Sequence, residues 1–240
     1  MVKVFYGLAL LVLVAGCATP PPSQPPLPVA KPGGSFHLGR VKALEATSHV
    51  TQYLDSGRNI VYSQNFGGGG VGVGLLLGPI GVAANMSAIE ANTKQEAEQL
   101  RGKVAIDPLA VFSAAARRAG TVLQPSASAE APLSSPYLYV VKTDPGTLAL
   151  AAGLEVESAD AAAPWTRKYL LQLPGAHTLA SLAALNQSDT SRIAGELEEA
   201  YVALLRRLPG ESADSVEKEP KVKFKSAFIT PRFDFEPRSA

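Results

Sequence analysis

The chain has 240 residues with 22 basic and 21 acidic side chains, which gives a formal net charge of only +1 at neutral pH. Affinity for nucleic acid draws heavily on phosphate neutralisation by clustered Lys and Arg, and the absence of such an excess argues against a nucleic-acid partner. The 46% of hydrophobic residues is enough to bury a core, and the single cysteine, Cys17, excludes a disulfide within one chain.

Residues 1–16 have the layout of a secretory signal peptide. Lys3 gives a weakly positive start, residues 4–14 form an apolar stretch, and two small residues precede Cys17. In a helix this stretch would span about 16 Å, roughly half of a hydrocarbon core about 30 Å thick. We therefore expect a cleaved signal and no permanent span in this region.

The four residues Val14-Ala15-Gly16-Cys17 resemble the lipobox of bacterial lipoproteins. In that family the cysteine thiol receives a diacylglyceryl group, the signal is removed before the cysteine, and the new amino terminus is acylated. Val14 stands where the family more often has leucine. The resemblance implies that Cys17 is lipidated and carries fatty acids such as palmitate, and two or more acyl chains give stable anchoring.

The residue after the cysteine bears on the membrane to which such a protein is sorted. In the lipoprotein family an aspartate at this position tends to retain the protein in the inner membrane. Ala18 follows Cys17 here, and the resemblance therefore implies the periplasmic face of the outer membrane.

Residues 17–34 are predicted to form a lipidated, proline-rich linker. Residues 18–34 contain seven prolines and no acidic residue, a composition that favours extended polyproline-like conformations. At about 3.1 Å per residue such a segment reaches roughly 50 Å. We expect it to tether residues 35–240 as a single periplasmic α+β domain.

The domain is predicted to begin with a β-hairpin. Residues 47–53 and 59–63 are rich in β-branched and aromatic residues, and between them Asp55, Ser56 and Gly57 are turn formers.

The segment GGGGVGVGLLLGPIGVAANM, residues 67–86, has two features that bear on function. Gly67, Gly69 and Gly72 match G-x-G-x-x-G after a predicted strand, and Glu90 lies near the spacing expected for a ribose partner. A dinucleotide site also needs a helix that opens at the third glycine. Pro79 is expected to break that helix, and Glu90 falls within a helical pattern and not at the end of a strand, which disfavours the dinucleotide interpretation.

The same segment has Gly70, Gly74 and Gly78 at four-residue spacing, which lets helices approach closely in lipid. It resembles the glycine zippers of some outer-membrane lipoproteins, which implies a membrane-active homo-oligomer that uses residues 67–84. The alternative is a loop that packs its apolar part onto the core of the domain. The apolar run of residues 71–84 is short for a membrane span, and both interpretations stay open.

Three helices are predicted from apolar positions at spacings of three and four. The first runs from residue 82 to Gly102, with charged residues on its other faces. The second begins at the N-cap Asp107 with Pro108 in its first turn and ends at Gly120. The third is capped by Ser188 or Asp189, and its stripe includes Ile193, Leu197, Ala200, Tyr201, Leu204 and Leu208.

Residues 137–142, 147–157 and 165–173 read as a three-strand meander after a polar loop at residues 124–136. Trp165 opens the third strand and is interpreted as a core or sheet-edge anchor. Residues 221–235 alternate apolar and charged side chains and are predicted to form an edge strand. The predicted fold is therefore α+β, with an antiparallel sheet of hairpin, meander and C-terminal strand packed by three helices.

The sequence shows no catalytic, cofactor-binding or metal-ligating constellation. His37, His49 and His177 lie in different segments, and H-E-x-x-H, elbow-serine and phosphate-loop motifs are absent. The element order resembles the small domains of envelope lipoproteins and assembly factors, which implies an envelope protein partner. The sequence thus predicts a non-enzymatic lipoprotein that acts as a binding or assembly accessory without a cofactor; the alternatives are the membrane-active oligomer and a cell-wall hydrolase.

Overall fold

A computed structural model describes residues 37–38, 51–64, 78–123, 132–144, 146–158 and 166–210. The strands in these ranges are β1 (His37–Leu38), β2 (Thr51–Asp55), β3 (Ile60–Gln64), β4 (Val122–Leu123), β5 (Leu133–Asp144), β6 (Thr147–Glu157) and β7 (Thr166–Gln172). The helices are α1 (Gly78–Leu100), α2 (Pro108–Ala119), α3 (Leu179–Ala183) and α4 (Gln187–Arg207), and a 3-10 turn at Leu208–Gly210 follows α4.

The main sheet has five strands in the order β2-β3-β5-β6-β7, and β1 pairs with β4 in a separate two-stranded sheet. The hairpin β2–β3 and the meander β5–β6–β7 are antiparallel, as the sequence predicted. Strands β3 and β5 are parallel, with Ile60 opposite Leu138 and Gln64 opposite Lys142. The α+β class is therefore confirmed.

The prediction of a purely antiparallel sheet was wrong, because the sheet is mixed. The chain between β3 and β5 carries α1, α2 and β4, and a crossover connection of this length allows the second strand to enter parallel to the first. Sequence reasoning placed the hairpin and the meander correctly but did not determine how they join.

The junction between β3 and β5 is held by Asn59, which has a positive φ of 57°, a conformation that Asn tolerates better than most residues. Its side-chain amide donates to the carbonyl of Pro136 at 2.8 Å, and its own carbonyl accepts from the backbone N–H of Leu138 at 3.0 Å. Strand β5 begins at Leu133, so Pro136 lies within this strand. The prediction that Pro136 closes a loop was therefore wrong.

Helix α2 has the ends that the sequence predicted. The Asp107 carboxylate accepts from the backbone N–H groups of Leu109 and Ala110 at 3.0 and 3.1 Å, which satisfies two of the free donors of the first turn. Gly120 adopts a left-handed conformation with φ of 70°, which ends the helix at low steric cost.

The other helices depart from the prediction in three ways. Asn186, rather than Ser188 or Asp189, caps α4, since its side chain accepts from the backbone N–H of Asp189 at 2.9 Å. The short helix α3, with a capping box between Thr178 and Ser181, was not predicted. Helix α1 begins at Gly78, four residues before the predicted start.

The helices pack on one face of the sheet and form the core with it. Alternate residues of β3, β5 and β6 point into this core, as the two-residue period of a strand requires; they include Ile60, Tyr62, Leu138, Val140, Leu150, Ala152 and Leu154. The rings of Phe112 and Tyr201 meet edge-on at 5.3 Å between α2 and α4. The Tyr201 hydroxyl donates to the carbonyl of Tyr137 at 2.9 Å, which ties α4 to β5.

The opposite face of the sheet is also largely buried, at Val61, Val141, Ala149 and Ala151. A cross-strand pair on this face explains the glycine in β6. The Tyr137 ring lies directly over Gly153, where a Cβ atom would approach ring carbons to 2.2 Å. A side chain at residue 153 would therefore displace the tyrosine.

Several predicted features lie outside the described residues. They are the signal segment, Cys17 with the linker, most of the glycine-rich segment, Trp165, and the C-terminal strand at residues 221–235. Within the part of the chain that the structure describes, none of the helices is both long enough and apolar enough to cross a membrane.

Candidate functional site

A cluster of polar side chains lies where the parallel strands β3 and β5 end. Tyr62 and Gln64 are two residues apart on β3 and so face the same side of the sheet. Lys142 is the register partner of Gln64 on β5, and Glu96 reaches the three side chains from α1. We call these four residues the Glu96 cluster.

The Glu96 carboxylate is the centre of this cluster and accepts three hydrogen bonds. One oxygen, Oε2, accepts from the Tyr62 hydroxyl and from the Gln64 amide, the latter at 2.8 Å. The other oxygen, Oε1, accepts from the Lys142 ammonium group, with which it forms an ion pair. Three different groups on two strands thus fix one carboxylate of α1.

The Glu96 cluster is mostly removed from solvent. The side chains of Lys142 and Glu96 are 14% and 19% exposed, and Tyr62 and Gln64 are buried. A charge this far from water is costly unless it is paired and hydrogen-bonded. The cluster meets this requirement because each charge faces the other and neutral donors complete the carboxylate shell.

The electrostatics of the cluster favour a structural role for the Tyr62 hydroxyl, as a hydrogen-bond donor to Glu96, over a role in proton transfer. Burial, and then the hydrogen bond to the Glu96 carboxylate, raise the pKa of the Tyr62 hydroxyl far above its ordinary value. The hydroxyl therefore keeps its proton at neutral pH and acts as a donor. A general acid or base works best when its pKa lies near the operating pH, so Tyr62 is poorly suited to that role.

One atom of the cluster retains an unused hydrogen-bonding capacity. The Gln64 carbonyl oxygen, Oε1, is buried and has no hydrogen-bond partner in the described structure. An amide oxygen can accept two hydrogen bonds, and a buried acceptor without a donor costs free energy. The cluster therefore combines a satisfied carboxylate with one acceptor that could receive a donor.

A second group of polar side chains surrounds His177, between β7 and α3. The backbone of His177 exchanges two hydrogen bonds with Leu148, at 2.7 and 2.8 Å, which fixes its position beside the sheet. Burial first, and then the positive charge of Arg192, lower the pKa of the His177 imidazole, while Glu196 and Asp189 act in the opposite direction. Neutral imidazole is therefore favoured in the folded chain.

This second group is less completely bonded than the Glu96 cluster. Arg192 pairs with Glu196 Oε1 at 2.7 Å along α4. Glu196 Oε2 and His177 Nε2 are buried atoms without a hydrogen-bond partner in the described structure. Within the residues that are described, no three His, Cys, Asp or Glu side chains are grouped so that they could hold a metal ion.

The structure does not bring the sequence-predicted candidates together. His37 lies in β1 and His177 beside β6, and Glu90 lies on the exposed side of α1. Cys17, His49 and the glycines at 67, 69 and 72 lie outside the described residues.

Sequence reasoning missed the Glu96 cluster altogether. Glu96 is one of several charged residues on α1 and lies 46 residues from Lys142. The sequence offers one signal, the polar Gln64 at the end of the β-prone run that forms β3, and the structure buries all five residues of this strand.

Comparisons with protein-family models, with curated proteins and with solved structures found no match to this chain. The function of the chain is therefore inferred from its residues and their geometry.

Proposed function

We propose that this chain is a lipoprotein of the bacterial cell envelope, anchored through Cys17 on the periplasmic face of the outer membrane. Its α+β body acts there as a non-enzymatic binding or assembly accessory for another envelope protein. The observation that carries the proposal is the order of three segments: a signal-like start, the residues Val14-Ala15-Gly16-Cys17, and a proline-rich linker. The acyl chains of such an anchor would supply stable membrane attachment.

The described body offers support for a binding role. The charges of the Glu96 cluster neutralise each other, since Glu96 and Lys142 form an ion pair. The hydroxyl in that cluster has a pKa raised far from neutrality. Such a cluster fixes a helix to a sheet and so gives a partner a defined surface, which is what an accessory protein requires.

Metabolic labelling tests the anchor. Radiolabelled palmitate should enter the wild-type protein made in a diderm bacterium and should not enter the Cys17→Ala variant. A matched control is Ser23→Ala, which changes a linker residue and should be labelled like the wild type. Labelling of both the wild type and Cys17→Ala, or of neither, would contradict the proposal.

Membrane fractionation tests the sorting. The wild type should be recovered with the outer membrane, and Ala18→Asp should move the protein to the inner-membrane fraction without loss of palmitate. The control Ala18→Ser should leave the distribution unchanged. Recovery of the wild type with the inner membrane would contradict the outer-membrane placement and leave the anchor intact.

Crosslinking in living cells tests the binding role. A photo-reactive residue at exposed positions of the body, such as Val122 or Leu171, should capture one discrete envelope protein. Turnover of peptidoglycan fragments by the purified protein would instead favour the cell-wall hydrolase.

A further inference from the structure

Strand β7 is an edge strand of the five-stranded sheet. Within the described ranges it pairs with β6 on one side, and no strand lies beyond it on the other. An edge strand presents unpaired backbone N–H and C=O groups, which is why proteins usually protect edges with short strands, bulges, prolines or charged side chains. How far β7 is protected therefore bears on whether another strand pairs with it.

The register of β7 shows which of its backbone groups face outward. Directly after this strand, the backbone N–H of Leu173 donates to the carbonyl of Leu150 on β6 at 2.8 Å. In an antiparallel pair, residues whose backbone groups point to the neighbouring strand alternate with residues whose groups point away from it. The backbone groups that point away from β6 therefore belong to the even-numbered residues of β7, which run from Thr166 to Gln172.

The two edges of the sheet differ in their protection. At the other edge, β2 has only five residues, its pairing with β3 is irregular between Tyr53 and Asp55, and α1 packs against it. Strand β7 pairs with β6 in a continuous register over seven residues and contains no proline. Short or bulged edges resist pairing, whereas long and regular edges accept a further strand. Of the two edges, β7 is therefore the one suited to pairing.

The side chains of β7 also suit a further strand. Lys168 lies opposite Glu155 of β6, and its ammonium group pairs with that carboxylate at 2.9 Å, so its charge is compensated within the sheet. Among the described residues, Leu171 is one of two exposed large hydrophobic side chains, with 37% of its surface exposed. The edge thus combines a compensated lysine with an apolar residue that a further strand would cover.

The sequence of β7 is complementary to itself when two copies run antiparallel. A two-fold axis through Tyr169 pairs all seven residues of both strands. It places Arg167 of one copy opposite Leu171 of the other, and Lys168 opposite Leu170. No like charges then lie directly opposite each other, an arrangement that would be destabilising. An axis through Lys168 would instead place lysine opposite lysine, so charge favours the register centred on Tyr169.

Helix α4 leaves room for this pairing. It packs against β6 and β7, and Tyr201 reaches the carbonyl of Tyr137 on β5, so the helix axis runs close to β6. Neighbouring strands lie about 4.8 Å apart, and the β6 strands of two copies would therefore be separated by about 14 Å. Packed helices need only about 8–10 Å between their axes. The α4 helices of two copies would thus lie side by side without a clash.

We propose that β7 is a dimerisation edge, to which a second copy of this chain adds its own β7 antiparallel, with Tyr169 at the two-fold axis. The two five-stranded sheets become one, and the outward-facing residues exchange about eight backbone hydrogen bonds. The axis makes each contact twice, as in other isologous dimers. The proposal goes beyond the proposed function and does not depend on it, because this edge is the same whether or not Cys17 carries a lipid.

Sedimentation equilibrium of the mature protein in dodecyl maltoside tests the dimer. The wild type should be dimeric. Leu171→Lys should raise the dissociation constant by about tenfold, because it places a lysine opposite Arg167 at two symmetry-related contacts, whereas Leu171→Glu should not raise it. Residue 171 is exposed in the single copy, so both variants should keep the fold, which circular dichroism checks. A monomeric wild type, or equal dissociation constants for the two variants, would overturn the proposal.

A proline tests the backbone contacts. Leu170→Pro removes an N–H that points away from β6, so pairing within one copy should survive, whereas the dimer should be lost. Leu170→Ala is the matched control and should stay dimeric. A folded Leu170→Pro protein that remains dimeric would mean that another surface joins the copies, and would overturn the proposal. If Leu170→Pro does not fold, the two variants at residue 171 decide.

Disulfide formation tests the register. Arg167→Cys and Leu171→Cys proteins, mixed and oxidised, should link to each other more readily than either links to itself, because the pairing brings their Cα atoms within disulfide distance. The control Val122→Cys, at the other exposed hydrophobic residue and in the separate two-stranded sheet, should stay unlinked. In living cells, a photo-reactive residue at position 171 should likewise capture a second copy, whereas position 122 reports on an envelope partner. Linkage of Leu171→Cys mainly to itself would overturn the proposal.

Discussion

Helices α1 and α4 have similar lengths, 23 and 21 residues, but different forces hold them to the rest of the chain. Helix α4 buries seven residues, which lie between Ile193 and Leu205. Among the described side chains of α1, only Thr93, Ala97 and Leu100 are buried, and its ties to the strand ends pass through Glu96. The comparison shows that α4 is held mainly by an apolar stripe, whereas α1 combines a short buried stripe with a polar cluster.

Helix α4 is also tied to its neighbours by directed contacts. Arg118 of α2 donates to Glu198 and Glu199 at 2.8 Å each. Such exposed ion pairs contribute little to stability. The stripe of α4 is therefore expected to dominate its attachment.

The largest effect on stability is expected from truncating one side chain of the apolar stripe of α4. Leu197→Ala removes a side chain that is fully buried in the core and should lower the free energy of unfolding by about 4 kcal/mol, because it loses apolar contact and leaves a cavity. Urea denaturation measures the change. The control Ala203→Ser, at an exposed position of the same helix, should stay within about 0.5 kcal/mol of the wild type, and equal effects would refute the role of the stripe.

A smaller but still large effect is expected from the polar attachment of α1. Glu96→Gln removes the charge opposite Lys142 and should lower the free energy of unfolding by about 3 kcal/mol, because breaking a buried ion pair leaves the remaining charge poorly compensated. The control Glu98→Gln changes a carboxylate that is 54% exposed and pairs with Arg101, and should change it by less than about 1 kcal/mol.

Two outcomes of this pair of variants would be informative. If Glu96→Gln and Glu98→Gln behave alike in urea denaturation, α1 does not depend on the Glu96 cluster. If Lys142→Met added to Glu96→Gln recovers stability, the cost lies in removing the negative charge opposite Lys142 and not in lost packing.

A change in the opposite direction is expected at Gly195, in the interior of α4. A Cβ atom at this residue would meet no other atom within 4 Å, and alanine favours a helix over glycine by about 1 kcal/mol. Gly195→Ala should therefore raise the unfolding temperature. Gly153→Ala is the contrasting variant, since its Cβ would meet the Tyr137 ring at 2.2 Å; a gain in stability there would show that the sheet accommodates the ring elsewhere.

The difference between α4 and α1 also explains which features of the fold the sequence could predict. The stripe of α4 was readable because its apolar residues recur at helical spacing, and Asp107 and Gly120 marked the ends of α2. The start of α1 was predicted four residues too late. Pro79 is the second residue of the helix, and proline is tolerated in a first turn because the N–H it lacks would have had no partner there.

The Glu96 cluster could not be predicted for a different reason. Its members come from β3, α1 and β5, and they meet only because β3 and β5 are parallel neighbours. Periodicity within a segment predicts the secondary structure of that segment. The pairing of β3 with β5 depends instead on the crossover through α1 and α2. The position of Lys142 opposite Gln64 is a property of that pairing and has no local signal.

The smallest effect is expected at His177, whose imidazole lies close enough to α4 to be influenced by the charges of Arg192, Glu196 and Asp189. The pKa of its imidazole is lowered in the fold by burial and by Arg192, against the opposing charges of Glu196 and Asp189. As the pH falls through about 6.5, the ordinary value, the unfolded chain binds a proton more readily than the folded one. The free energy of unfolding should then decrease.

Urea midpoints at about pH 8 and about pH 5.5, on either side of the histidine range, should therefore differ more for the wild type than for His177→Gln. Arg192→Gln should give an intermediate difference, because it removes the second cause of the shift and leaves burial in place. A wild-type slope that persists unchanged in His177→Gln would assign the acid sensitivity to other groups.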